Sequence, residues 1–257
     1  MLIPVTIDGQ TIEVEKGTTV LEAARLLGIR IPTLCYHEAV SPYGACRLCQ
    51  VEVESRGRRR LRTSCEYPIL RAGEVVNTDT EAVLRIRRLI LELLLARCPD
   101  VPILHELAAE AGLERVRLET IGEPSQCILC GLCERVCNEV LGRNAISFAG
   151  RGVQRSISTP YGVNSEVCIG CGACASVCPT GVIRIREYDG KRHLRFWNTE
   201  VELIACASCG AQFAPGATLL AARERIGDLL EITTLCPDCR SRSTCAQLVV
   251  GLEKAVS

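Results

Sequence analysis

Cys127-Ile-Leu-Cys130-Gly-Leu-Cys133-Glu-Arg-Val-Cys137 and Cys168-Ile-Gly-Cys171-Gly-Ala-Cys174-Ala-Ser-Val-Cys178-Pro179 place the spacing C-x2-C-x2-C-x3-C twice in one chain. Two-residue gaps let three thiolates and the N–H groups between them wrap one iron–sulfur cubane. The three-residue gap carries the fourth cysteine onto a helical turn that points toward a neighbouring cluster. The runs share Cys-Ile-x-Cys-Gly-x-Cys-x-x-Val-Cys and so form an internal repeat. Ile128 and Ile169 are expected to shield the sulfurs from water. Of the 18 cysteines in 257 residues, most fall into C-x2-C pairs. Such pairs bridge poorly between themselves and bind metal well, so a disulfide scaffold is not expected.

Working outward toward the N-terminus, residues 2–7 and 11–15 alternate apolar and polar around Asp8-Gly9, a hairpin signal. Thr18 or Thr19 can cap a following helix whose face is Val20, Ala23, Ala24 and Leu27, ending at Gly28. A hairpin followed by a helix suits the β-grasp fold. Next come Cys35, ten residues, Cys46, two residues, Cys49, fifteen residues and Cys65. Gly44 and Ala45 keep that loop small where its N–H groups would approach cluster sulfides, and Gln50 to Glu54 predicts a strand behind it. Zinc sites seldom use such unequal gaps, so a [2Fe–2S] cluster is expected at these four cysteines.

Glu81 to Arg97 predicts an amphipathic helix, and 102–112 another. Toward the C-terminus, Cys206-Ala-Ser-Cys209 and Cys236-Pro-Asp-Cys239 are two knuckles separated by 26 residues, with a helix expected over 219–230. Four thiolates on two knuckles suit a zinc ribbon. Cys245 leaves a third [4Fe–4S] cluster as the alternative.

The double run resembles bacterial two-cluster ferredoxins. That resemblance implies that the runs exchange their fourth ligands: Cys127, Cys130, Cys133 and Cys178 for one [4Fe–4S], and Cys168, Cys171, Cys174 and Cys137 for the other. Pro179 follows the second run as in that signature, while Asn138 follows the first. Plant-type ferredoxins use C-x4-C-x2-C and a distant fourth cysteine; here the first gap is longer. That variant resembles the N-terminal [2Fe–2S] domain of the large iron–sulfur subunit of respiratory complex I. It also resembles the diaphorase iron–sulfur subunits of NAD-linked hydrogenases and formate dehydrogenases.

This second resemblance implies a further cluster bound by His-x3-Cys-x2-Cys-x5-Cys after the Glu81–Arg97 helix. Those ligands are missing: Cys98 stands where the histidine would, and His105 has no C-x2-C after it. Cys98 is expected to be a buried thiol and His105 a surface residue. Losing that relay leaves either closer packing of the remaining sites or two separate electron routes.

The resulting expectation is an α+β chain: a β-grasp [2Fe–2S] ferredoxin domain over 1–79, a helical linker over 80–118, a two-cluster [4Fe–4S] ferredoxin domain over 119–190 and a zinc-ribbon-like domain over 200–257. The resemblance implies a cytoplasmic electron-transfer subunit of a multisubunit NAD(P)-linked oxidoreductase: a hydrogenase, a formate dehydrogenase or an electron-bifurcating complex. It implies two partners, a flavin-containing NAD(P)H-handling subunit and a catalytic subunit, and no substrate site on this chain. A freestanding multi-cluster carrier serving several partners is the alternative. The 30 basic and 30 acidic side chains balance, which gives no reason to expect nucleic acid, and no apolar stretch is long enough for membrane insertion. No GxGxxG or P-loop pattern is present, and Arg151 between Gly150 and Gly152 is expected to support an anionic cluster.

Overall fold

The computed structural model describes residues 1–120, 123–226 and 234–245. The chain divides into two compact units: Met1–Gly142 with Val177–Val182, and Arg143–Ser176 with Ile183–Ser257. The short piece bearing Cys178 groups with the first unit.

The first unit begins with the expected hairpin, β1 (Leu2–Ile7) and β2 (Gln10–Glu15), in register from Leu2 opposite Glu15 to Ile7 opposite Gln10. Asp8 and Gly9 both take positive φ, the type I′ geometry that matches strand twist. Helix α1 (Val20–Leu26) starts at Thr19, whose side chain accepts from the Glu22 N–H while Glu22 reaches back to the Thr19 N–H. The remaining strands are β3 (Gln50–Ser55), β4 (Arg58–Thr63) and β5 (Glu74–Asn77). They give a five-stranded sheet of order β2-β1-β5-β3-β4, with β1 and β5 parallel.

Val5, Ile7, Val51, Val53 and Val76 from the sheet pack with Val20, Leu21, Ala23 and Ala24 of α1 and with Ile69. Each large side chain buried here contributes about 1.5–3 kcal/mol of transfer free energy. On the outer strand β4 the pattern changes. Arg58, Arg60 and Arg62 share one face and, with Arg56, Arg71 and Tyr67, line an open cleft of about 390 Å³.

Helix α2 (Glu81–Arg97) matches the expected element and is capped by Thr80. It buries Val83, Leu91 and Leu95 together with two charged side chains. Arg87 donates to the carbonyls of Leu48 and Gln50, and Glu92 accepts from Arg117 at 2.6 and 2.8 Å. Helix α3 (Pro102–Glu110) follows, and then α4 (Leu132–Arg135), which runs into a π-helical turn over Val136–Val140.

The second unit contains the two-stranded β6 (Ser147–Ala149) and β7 (Ser156–Ser158), the short α5 (Ala173–Ser176) and a four-stranded antiparallel sheet. That sheet has the order β11-β10-β9-β8, built from β8 (Ile185–Tyr188), β9 (Lys191–Leu194), β10 (Thr199–Ala205) and β11 (Gln212–Pro215). Helix α6 (Gly216–Ile226) packs on β10 and β11. The remainder of the helix expected over 219–230 lies outside the described residues. Residues 237–245 are helical. No helix among the described residues is long and apolar enough to cross a membrane.

Candidate metal centres

The four N-terminal cysteines are buried in two pairs. Cys49 Sγ and Cys65 Sγ lie 3.4 Å apart, and the Cys46 N–H donates to Cys35 Sγ at 3.4 Å. A hydrogen bond from Cys35 holds the Cys46 thiol down at about 6, and one from Cys65 holds Cys49 down at about 7. The partners Cys35 and Cys65 are pushed up, first by those same bonds and then by burial. Metal uptake would require all four as thiolates and would release their protons. Two pairs of thiolates match the demand of two irons. Strand β3 fixes Cys49 at one end of the site, and Ser64 and Cys65 follow β4. Gly44 has φ +60°, and a Cβ there would stand 1.9 Å from Glu66 Oε2, so the loop tolerates no side chain at that point without displacing Glu66.

The first cubane-type run curls by alternating handedness. Leu129 and Gly131 take φ of 56° and 73°, and the equivalent residues of the second run, Gly170 and Gly172, take 66° and 82°. The sequence repeat is thus a conformational repeat, which turns successive N–H groups inward as a nest for an anion. Backbone N–H groups of Leu129 and Leu132 donate toward Cys127 and Cys130. Burial first, then the nearby sulfurs of Cys127, Cys178 and Cys46, push the Cys130 thiol up to about 11. Cys178 is also an electrostatic neighbour of Cys127. Within the first unit, then, Cys178 is grouped with Cys127 and Cys130 of the opposite run. Cys133 stands on α4 and Cys137 on the π-helical turn after it.

In the second unit, Cys168, Cys171 and Cys174 line their own loop, and the sulfurs of Cys171 and Cys168 both act on Cys174. Arg192 donates to Gly170 O at 2.8 Å and Thr218 to Ile169 O at 2.6 Å, so β9 and α6 hold the loop from behind. A Cβ at Gly170 would meet Val201 at 3.0 Å. Ile128 is buried and Ile169 half-buried, as expected of shielding residues. Arg151 is exposed, on the turn between β6 and β7 rather than packed inward.

Buried donors beside the cysteine-rich loops bear on whether clusters fit. The Ser64 hydroxyl and the Trp197 indole N–H are buried with no oxygen or nitrogen partner among the described residues. They sit against Cys49 and Cys174 respectively. Sulfur acceptors of a ligated cluster would satisfy both. Sequence reasoning missed Trp197; its being the single tryptophan was the available signal.

At the C-terminal knuckles, the sulfurs of Cys206, Cys209, Cys236 and Cys239 all lie within 4.8 Å of one another. Cys209 and Cys236 are 3.7 Å apart. Zinc–thiolate bonds of about 2.3 Å in a tetrahedron put ligand sulfurs about 3.8 Å apart. A cubane interposes irons and sulfides between its ligands and needs a wider set. The backbone N–H groups of Cys236 and Cys209 hold the Cys206 thiol down at about 6, ready to ligate. Cys245 is exposed and does not belong to this group of four.

Cys98 is fully buried, and burial pushes its thiol up to about 11. It neighbours Ser125 and Cys127 rather than any histidine. His105 is exposed, with Nε2 2.6 Å from Pro99 O.

Residues 1–81 match the 2Fe-2S iron-sulfur cluster binding domain family, and residues 126–182 and 167–212 match the 4Fe-4S dicluster domain family. The chain is 39% identical over 231 residues to the NADPH-Fe(3+) oxidoreductase subunit alpha of Geobacter sulfurreducens, covering 81% of this chain and 27% of that one. It is 36% identical over 217 residues to the NADP-reducing hydrogenase subunit HndD of Solidesulfovibrio fructosivorans, covering 73% and 37% respectively. The chain thus spans 27% to 37% of the length of these curated relatives. Among solved structures, a chain of an NAD+-reducing [NiFe]-hydrogenase in the H2-reduced state aligns with TM-score 0.54 and 31% identity. That alignment covers 61% of this chain and 74% of that one.

Proposed function

Because the chain belongs to the iron–sulfur electron-transfer subunits of NAD-linked hydrogenases and complex I-type oxidoreductases, we propose that it relays single electrons inside such a complex. Its partners in this reading are a flavin-containing NAD(P)H-handling subunit and a catalytic subunit, in the cytoplasm. Cys35, Cys46, Cys49 and Cys65 would hold a [2Fe–2S] cluster. Cys127, Cys130, Cys133 and Cys178 would hold one [4Fe–4S], and Cys168, Cys171, Cys174 and Cys137 the other. Such clusters supply reversible one-electron oxidation and reduction when bound. The polypeptide itself supplies the thiols and the backbone N–H groups around them, and buries the four N-terminal sulfurs from water.

The observation that carries this reading is the proximity of the Cys133–Cys137 turn to the Cys35–Cys46 loop within one compact unit, where Arg135 donates to the Cys35 carbonyl at 2.7 Å and Glu139 accepts the Ser41 N–H at 2.7 Å. Of the two possibilities left by the missing histidine-ligated relay, that proximity supports close packing. The thiol spacing at Cys206, Cys209, Cys236 and Cys239 supports a structural zinc rather than a third cubane.

Anaerobic purification with metal analysis and EPR tests the cofactor content. The expected result is about ten irons and about one zinc per chain, with both binuclear and cubane signals on reduction. About fourteen irons without zinc would overturn the zinc assignment. Co-purification with a flavoprotein at fixed stoichiometry is expected. Isolation as a free monomer that reduces several unrelated acceptors would overturn the subunit reading in favour of a freestanding carrier.

A further inference from the structure

Arg135 occupies the three-residue gap between Cys133 and Cys137, on the same turn as two cubane ligands. Its side chain reaches away from that run to the [2Fe–2S] loop. Nη2 donates to the Cys35 carbonyl at 2.7 Å, Nη1 donates to the Ser41 carbonyl, and the guanidinium lies 5.3 Å from the centre of the Tyr43 ring. One turn later, Glu139 Oε2 accepts the Ser41 N–H at 2.7 Å. The helical stretch that carries Cys133 and Cys137 therefore grips both backbone polar groups of Ser41 and the carbonyl of Cys35.

Arg135 is only 7% exposed. No carboxylate among the described residues forms an ion pair with it, and its Nε is buried without a partner. A buried cation in that state is costly unless anions lie close by other means. Glu139, one turn on, is one such anion, since Arg135 acts on its carboxyl electrostatically, and ligated clusters on either side would add further negative charge. The cation adds a favourable term to whichever neighbouring site gains an electron, and the two carbonyl bonds hold the loop at fixed separation from the cubane ligands.

We propose that Arg135 is a positioning residue for electron exchange between the [2Fe–2S] site and the first cubane, setting both their separation and the potential of the binuclear site. In that exchange one cluster is oxidised by one electron as the other is reduced by it; no covalent bond or proton moves. The proposal rests on the reading that both sites hold clusters. Glu139 acts with Arg135 on the loop but carries the opposite charge, which separates geometric from electrostatic effects.

The test is a potentiometric titration of the anaerobically purified full chain, followed by EPR, in wild type, Arg135→Gln and Glu139→Gln. Arg135→Gln is expected to keep its iron and lower the binuclear midpoint. The expected size is about a tenfold rise in the oxidised-to-reduced ratio at fixed potential, or about 59 mV for one electron. It should also weaken the relaxation of the binuclear signal by the reduced cubane. Glu139→Gln is expected to weaken that relaxation without lowering the midpoint, since it removes a negative charge. An Arg135→Gln variant with full iron, wild-type midpoint and wild-type relaxation overturns the proposal, as does loss of thermal stability alone. If Arg135→Gln takes up no iron, Arg135→Lys carries the test. A wild-type midpoint with weakened relaxation supports the role, and both unchanged overturns it. Wild-type protein lacking either cluster signal would instead sink the cluster reading itself.

Discussion

The N-terminal sheet and the Cys206–Cys239 knuckles each gather four thiols, yet they are organised around different materials. The four cysteines of the first sit at one end of a sheet whose core is hydrocarbon: Val5, Ile7, Leu21, Val51, Ile69 and Val76 are essentially inaccessible. The buried centre of the second is sulfur. Cys206, Cys236 and Cys239 form the cluster, and only Phe213 and Leu235 pack against it among the described residues. A small element with so little apolar surface needs a metal to close it. In the proposed reading the first region hosts its cofactor, and the second is held together by one.

The largest expected effect tests that contrast directly. Cys236→Ser, or chelation of the metal, should unfold the knuckles locally, because zinc in small thiolate sites supplies about 10 kcal/mol or more of folding free energy. Cys65→Ser should abolish the binuclear EPR signal while amide-exchange protection in β1 and β3 persists. Equal loss of protection in both regions would erase the distinction. Next in size, Ile7→Ala should destabilise the N-terminal sheet by about 2–5 kcal/mol through cavity formation. Denaturant melts that follow the binuclear CD band should report it, with the knuckles unaffected.

Thr19→Ala should cost about 1 kcal/mol, since it removes half of a reciprocal cap on α1. The same melts detect it, and a change above about 3 kcal/mol would mean that Thr19 does more than cap. The smallest effect is a pH dependence. The Ser41 N–H holds the Glu139 carboxyl below the usual carboxylate range. A lowered folded value means that the contribution is present above an ordinary glutamate pKa of about 4.3 and is lost as pH falls through the lowered one. The melting difference between wild type and Glu139→Gln should therefore exist near neutrality and vanish in acid. A difference that persists in acid would assign it to something other than the charge.

Much of this organisation was written in local patterns. Asp8-Gly9 between alternating strands, Thr19 before Val20 and the apolar stripe of Glu81–Arg97 each specify an element by short-range physics, and each was found within two residues of its expected ends. The candidate ligands were equally legible, because thiol spacing is itself a local property. The sheet β8–β11 was not. Ile185-Arg-Glu-Tyr188 and Lys191-Arg-His-Leu194 carry adjacent charged pairs on half of their positions, so no alternation announces a strand. Arg135 was invisible for a different reason. Its partners lie 94 and 100 residues away at Ser41 and Cys35, and an arginine on a short helix otherwise resembles any solvated side chain.

The arginines of β4 have a consequence for self-association. β4 is an outer strand, and its unpaired N–H and C=O groups are a template on which a second copy could add. With 30 positive and 30 negative side chains, the molecule has no overall repulsion to keep copies apart. Arg58, Arg60 and Arg62 supply that repulsion locally, wherever two β4 edges approach. The protection is ionic and hence short-ranged in brine: at about 1 M salt the screening length falls to about 3 Å, and the edge loses its guard against fibrous stacking.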